Sequence, residues 1–308
     1  MWPDIPYDAW RETCGALHLF CQIVGKYRLA RTPWVNHSWH ATLYVTAQGL
    51  TTGLVPDADG GTEITLDLVR HRVCGSAANG RTGSFGLKAM PVSEFHARCL
   101  DLIRFIGGTP RFHGSPNEVP DAVPFAHDHA IRGYDAPAVE RFHGALLACN
   151  RVFGLFRTGF LGKVSPVHLF WGSFDLAVTR FSGRAAPRHR GGIPNLPDAI
   201  TREAYSHEVS SAGFWPGGGA VDYPAFYSYA YPAPAGFSEA RVEPDGAFFH
   251  PELGEFLLPY ETVRSAGDPE RALMRFLETT YEAAARLAAW DRSALECPLG
   301  DPLRPRSV

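Results

Sequence analysis

Apolar positions recur at helical spacing in three long stretches of the chain. "YDAWRETCGALHLFCQIVGK" (7–26) predicts a helix over 7–27, apolar enough to pack on a sheet. "PVSEFHARCLDLIRFI" (91–106) and "DPERALMRFLETTYEAAARLAAW" (268–290) carry the same spacing, and Asp268-Pro269 supplies an N-cap and a first-turn proline for the second of these. Elsewhere, short alternating or wholly apolar runs predict strands near 40–47, 50–55, 62–70, 71–77 and 82–88, and again near 167–172, 174–182, 204–212, 225–232, 246–250 and 255–260. Asn79-Gly80 is a hairpin-turn signal between two of them. Strands that follow one another without an intervening helix pair antiparallel, so the predicted class is α+β, with helices flanking antiparallel sheets.

The pattern also recurs at longer range. Tyr-Asp-Ala opens both 7–26 and 134–154, each then carries Gly-Ala-Leu (15–17 and 144–146), and Gly-Lys follows at 25–26 and 162–163. His40 and His168 each begin a pair of strand-like runs that end in glycine. An internal duplication is therefore expected: a first α+β repeat over 1–108, a Pro- and Gly-rich connector over 109–133, and a second repeat over 134–308 with loop insertions. Two irregular stretches, 183–199 and 213–224, read equally as functional lids or as surface insertions.

Composition narrows the partners. The 308 residues are 45% hydrophobic, enough for a sizeable core, and the net charge of −3 comes without a basic face, which argues against nucleic acid. The six cysteines form no C-x-x-C pair, which points to reduced thiols and a cytoplasmic protein. No run of about 18 apolar residues is present and the N-terminus lacks a signal-peptide pattern, so no membrane is expected. A small-molecule metabolite is the expected partner, and the oligomeric state is left open. The G-x-S-x-G elbow, the phosphate-binding G-x-x-x-x-G-K-[ST] loop and H-E-x-x-H are all absent.

The candidate chemistry rests on the duplication. If the halves are related by a pseudo-two-fold, His40 and His168 converge on one cleft and form the start of a metal site. Glu208, as a ligand or general base, would complete a set of two histidines and one carboxylate for a divalent transition metal, iron in that case, whereas its neighbour His207 would suit zinc or copper. His37 joins this group if a turn at 36–38 folds it back. His127 and His129 would share a strand face but lie in the connector.

In "SPVHLFWGSFDLAVTRFSGR" (165–184), Asp175 and Arg180 would be buried charges needing partners. Asp175 is the companion of His168 in a metal-free general-base alternative. Arg180 and Arg184 are expected to clamp an anionic substrate. Tyr227, Tyr229 and Trp171 are expected pocket walls. Lys26 and Lys163, each after a glycine, read either as helix C-terminal cations or as desolvated ammonium groups that bind a substrate anion. Each histidine also has a structural reading as a hydrogen-bonded core residue.

Three stretches, 17–46 (with "WVNHSWHATLYVT"), 162–184 and 202–219 ("REAYSHEVSSAGFWPGGG"), resemble a bacterial family catalogued as a domain of unknown function. The resemblance runs over nearly the whole chain. It implies a soluble bacterial protein of about this length and no particular activity. The expected function is an enzyme acting on a small polar metabolite in a cleft between the halves, with or without a metal. The alternative is a binding or sensing protein that uses the same cleft.

Overall fold

The computed structural model describes residues 2–57 and 60–306. Helix α1 (Tyr7–Arg31) runs longer than its apolar pattern predicts, and its residues from Phe20 to Arg28 are buried without a break. A helix buried on every side is a core element rather than a surface one. It packs its Trp10 on Phe142 and its Phe20 flat on Phe95, with ring centres 5.0 and 4.0 Å apart.

The first sheet is an antiparallel meander in the order β1-β2-β3-β4-β5: β1 (Tyr44–Thr46), β2 (Gly49–Thr51), β3 (Thr62–Asp67), β4 (Arg72–Ala77) and β5 (Thr82–Gly86). Strand β3 stops at Asp67 because that carboxylate accepts hydrogen bonds from the Val69 and Arg70 amides and turns the chain. Asn79-Gly80 makes the expected turn, with Gly80 at φ +85°. A two-stranded ribbon, β6 (Met90–Pro91) with β7 (Ile131–Arg132), flanks α2 (Val92–Phe105).

The second half opens with α3 (Ala136–Thr158), capped by Asp135 on the Ala138 amide. Its sheet runs β12-β13-β11-β10-β9-β8, all antiparallel: β8 (His168–Phe170), β9 (Asp175–Ala185), β10 (His207–Trp215), β11 (Ala225–Tyr231), β12 (Phe248–His250) and β13 (Glu255–Pro259). Helices α4 (Asp198–Ala204), α5 (Tyr260–Arg264), α6 (Pro269–Leu287) and α7 (Arg292–Leu295) complete it, and Asp268 caps α6 as its sequence predicts.

The class is α+β, as expected, and the order helix, antiparallel sheet, helix recurs in both halves. That recurrence of order does not establish a duplication. The sheets have five and six strands, and they join at one bridge, where Leu43 and Leu169 exchange backbone hydrogen bonds of 3.0 and 2.8 Å. Leu43 stands three residues after His40, whereas Leu169 stands one after His168. The two histidines therefore do not correspond about that bridge.

Strand alternation splits the six-stranded sheet into two buried faces. One carries Leu176, Val178, Ala212, Phe214, Phe226, Phe256 and Leu258, and it joins α3 and α6 in a core that also takes in residues of the first half. The other carries Asp175, Thr179, Ser211 and Tyr229 and is roofed by irregular chain. The 183–199 stretch contributes to that roof. The 213–224 stretch contributes only Trp215, and its glycine run turns away, with Gly217 against Tyr7.

Candidate functional site: an acidic aromatic cavity on the second sheet

A cavity of about 770 Å³ lies on the roofed face. Its floor is three adjacent strands in register. Thr179 of β9, Ser211 of β10 and Tyr229 of β11 form one row, and the Thr179 and Ser211 hydroxyls are 2.8 Å apart. In the next row, Gly213 stands between Ala177 and Tyr227. A Cβ at Gly213 would collide with the Tyr227 ring, so the missing side chain lets the phenol lie across β10 and donate a hydrogen bond to Asp175 Oδ2. Ser173 donates to Asp175 Oδ1 over 2.5 Å from a turn in which Phe174 takes φ +61°.

The roof comes from distant sequence. Gln22 on α1 holds Asn117 by its backbone, accepting from the amide at 2.8 Å and donating to the carbonyl at 2.9 Å, and this positions Glu118 over the cavity. Lys26, one turn further along α1, donates to Asn117 Oδ1 and lies 5.2 Å from the centre of the Trp171 ring. Trp171 rests on Gly25, whose lack of a side chain leaves room for the indole, and donates to the Ala41 carbonyl at 2.6 Å. Tyr205, just past α4, closes another side with its hydroxyl 2.9 Å from that of Tyr229. His37 and Trp34 stand at the end nearest the first half, and the Trp34 ring is half in solvent.

Three carboxylates line this space: Glu118, Asp175 and Glu255. Burial pushes Glu118 up to about 7, the Asp175 charge adds to the rise, and Lys26 opposes it. Burial, again with Asp175 adding, pushes Glu255 up to about 7. Asp175 is also raised by burial, against the two hydroxyls that donate to it. Asp175 is thus the charge that the two glutamates share, and it raises both. Burial lowers Lys26 to about 8. Near neutral pH such a set can both give and take protons.

Of the side chains predicted from sequence, Asp175, Trp171, Tyr227, Tyr229 and His37 do line the cavity. His37 is held as a neutral ring: Nδ1 donates to the Ala204 carbonyl at 2.8 Å, and Nε2 accepts from Lys163 at 2.6 Å. Burial lowers both His37 and Lys163. Lys163 thus stands behind the wall rather than in it, over the faces of Trp39 and Phe181.

The remaining predicted residues lie outside the lining. His168 is fully buried against Phe170, donates from Nδ1 to the Pro166 carbonyl at 2.7 Å and is lowered by burial to about 4. His40 is buried beneath Trp34 with Nδ1 3.2 Å from the Val35 amide. The structure therefore does not bring His40 and His168 together on this cavity. Arg180 is on the opposite sheet face from Asp175, so the two buried charges do not pair. Its guanidinium sits 3.5 Å from the Phe156 ring centre and donates to the Phe156 carbonyl, which makes it a brace for the end of α3 rather than a clamp on an anion.

Glu208 accepts from Ser182 at 2.8 Å and pairs with Arg184, which also reaches the Ala288 and Ala289 carbonyls, so this pair ties β9 and β10 to the end of α6. His207 lies with its ring 5.9 Å from that of His37 but outside the lining. Among the described residues no three His, Cys, Asp or Glu side chains come together as a metal-holding group. Lys26 is not a helix-terminal cation, because α1 continues five residues beyond it.

Glu118 and Glu255 are the cavity carboxylates that sequence reasoning misses. Glu255 left a signal, a lone charge at the head of the apolar strand "EFLLP". Glu118 left none, because "SPNEVPD" reads as solvated connector.

Fold and cavity together define an α+β protein with a cavity on its second sheet walled by aromatic rings and carboxylates. The chain belongs to DUF5996, a family of unknown function, whose profile matches residues 2–297. No curated protein and no solved structure matches it. No described helix is long and apolar enough to cross a membrane.

Proposed function

We propose that the protein is an enzyme that moves protons on a small polar metabolite held in this cavity, with Glu118 and Glu255 as the exchanging acids. Asp175 and Tyr227 form the fixed pair that orients the substrate between them. The observation that carries this reading is the placing of three carboxylates in one aromatic-walled space, none of them facing an arginine there. The raised values of Glu118 and Glu255 support it, since an acid half protonated near pH 7 serves as both donor and acceptor. All six cysteines are unpaired, which supports a reducing compartment, the cytoplasm.

The test is solvent isotope exchange. The protein is incubated in heavy water with a broad panel of small polar metabolites, and mass spectrometry reads deuterium gain or consumption. At least one compound exchanges, and Glu118→Gln slows that exchange by about 100- to 10,000-fold. Ligands that bind without exchange or turnover would overturn the enzyme reading in favour of a binding protein.

A further inference from the structure

The cavity's charge is one-sided. Its lining holds three carboxylates and no lysine or arginine. Asp175 already accepts from Ser173 and Tyr227, whereas the Glu255 carboxylate lines the cavity with the residue only 8% exposed and has no hydrogen-bond partner among the described residues. A buried carboxylate left without a donor is costly unless something supplies one. The Tyr227 hydroxyl donates to Asp175, the Tyr205 and Tyr229 hydroxyls share one hydrogen bond between them, and none of the three is bonded to Glu255. The walls beside it are flat π faces. The Tyr227 and Tyr229 rings stack 6.0 Å apart at 17°, and Trp215 lies 5.8 Å from Tyr227. Aromatic faces attract cations through their quadrupole, most strongly where water is excluded. Both Glu255 and those faces therefore favour the same ligand charge, and an anion would meet carboxyl groups on three sides with no lining cation to offset them.

We propose that the cavity takes a small organic cation, an ammonium group carried on a flat apolar body, with its N–H groups on Glu255 and its body against the tyrosine and tryptophan faces. This rests on the proton-transfer reading of the same cavity and names its substrate class. Charged and titratable groups around Glu255 are Asp175, Tyr205, Tyr227, Tyr229 and His250, which stands opposite it on β12, and those around Glu118 are Lys26 and Asp175. A bound cation favours the ionised carboxylates, so binding releases protons and tightens as pH rises towards and through 7, by at most about tenfold per pH unit for each proton released.

Calorimetry and thermal melting compare three probes of one size, benzylammonium, benzyl alcohol and benzoate, on the full chain. Benzylammonium binds with a dissociation constant near 1 mM or tighter, as expected for so small a ligand, and at least about tenfold more tightly than the alcohol. Benzoate is weakest. Glu255→Gln brings benzylammonium and the alcohol to parity, while Glu208→Gln, a carboxylate outside the cavity, leaves the preference intact. A melting curve confirms that each variant is folded, and Glu255→Asp serves as a second variant with the charge retained and the preference reduced but present.

Equal binding of the alcohol, tighter binding of benzoate, no binding of benzylammonium at about 10 mM, or a preference that survives Glu255→Gln would each overturn the proposal. The two readings fail separately. Cation preference without any solvent exchange sinks the enzyme reading alone, and exchange on a neutral compound without cation preference sinks this one alone.

Discussion

The two faces of the six-stranded sheet are both buried, yet they treat polar groups in opposite ways. On the helix-facing side, Arg180 is enclosed by Phe156, Phe160 and Tyr281 and bonds a backbone carbonyl. Apart from two buried serines, Ser210 and Ser228, the strand centres on that face are apolar and fill the space under α3 and α6. On the cavity side, the same strands present Asp175, Thr179, Ser211 and Tyr229, and the Glu255 carboxylate has no hydrogen-bond partner among the described residues. A face that only has to pack excludes polar groups or encloses them. A face that leaves ionisable groups unmatched in an open space costs stability, and such costs gather at functional sites. The difference lies in what covers each face: two long helices on one, connector and loop on the other.

The comparison can be broken by mutation. The largest effect is expected on the packed face. Phe214→Ala, at a fully buried position, is expected to cost about 3–5 kcal/mol in denaturant unfolding. Cation preference in the folded fraction should be unchanged. A loss below about 1 kcal/mol would mean that this face is not the packed one.

An effect of opposite sign is expected across the sheet. Glu255 is raised to about 7 in the folded protein from the ordinary 4.5. Its contribution to stability is therefore full below pH 4.5 and lost as pH rises through about 7. Glu255→Gln should thus stabilise the protein by about 1–3 kcal/mol at pH 8, with the gain vanishing at about pH 4. Melting curves across that range read it directly, and a variant less stable than wild type at pH 8 would show that the carboxylate is matched after all. His168 contributes the reverse limb. Its value is depressed to about 4 from 6.5, so its share of stability is present above 6.5 and lost as pH falls through about 4.

The smallest effect sharpens the boundary of the roof. Tyr205→Phe removes the 2.9 Å contact with Tyr229 and should cost about 0.5–1.5 kcal/mol. Because it frees the Tyr229 hydroxyl to serve a ligand, probe binding should change by no more than a few-fold. A larger loss of binding would make Tyr205 a contact rather than a support.

Much of the fold could be read along the chain. The Asp268-Pro269 cap, the Asn79-Gly80 turn and the alternating runs of β9 and β11 are local signals, set by backbone geometry and side-chain spacing, and each element forms where they stand. Where local signals misled, a tertiary contact had overridden them. The predicted strand at 40–47 begins only at Tyr44, because residues 36–38 form a tight turn with His37 at φ 61°, pinned by Glu203 on the His37 amide at 2.9 and 3.0 Å. The predicted strand at 204–212 is displaced to 207–215 because 198–204 coils into α4.

The sequence by itself determined the class of fold and the antiparallel pairing, and it put Tyr227 and Tyr229 on one face, because alternation along a strand settles which residues share a face. It did not determine which histidines meet, nor that Gln22 on the first helix would hold Glu118 over the second sheet, 96 positions away. Charge burial is a property of surroundings. Whether a glutamate in a proline-rich connector is solvated or enclosed depends on what packs over it, and only the tertiary structure decided that.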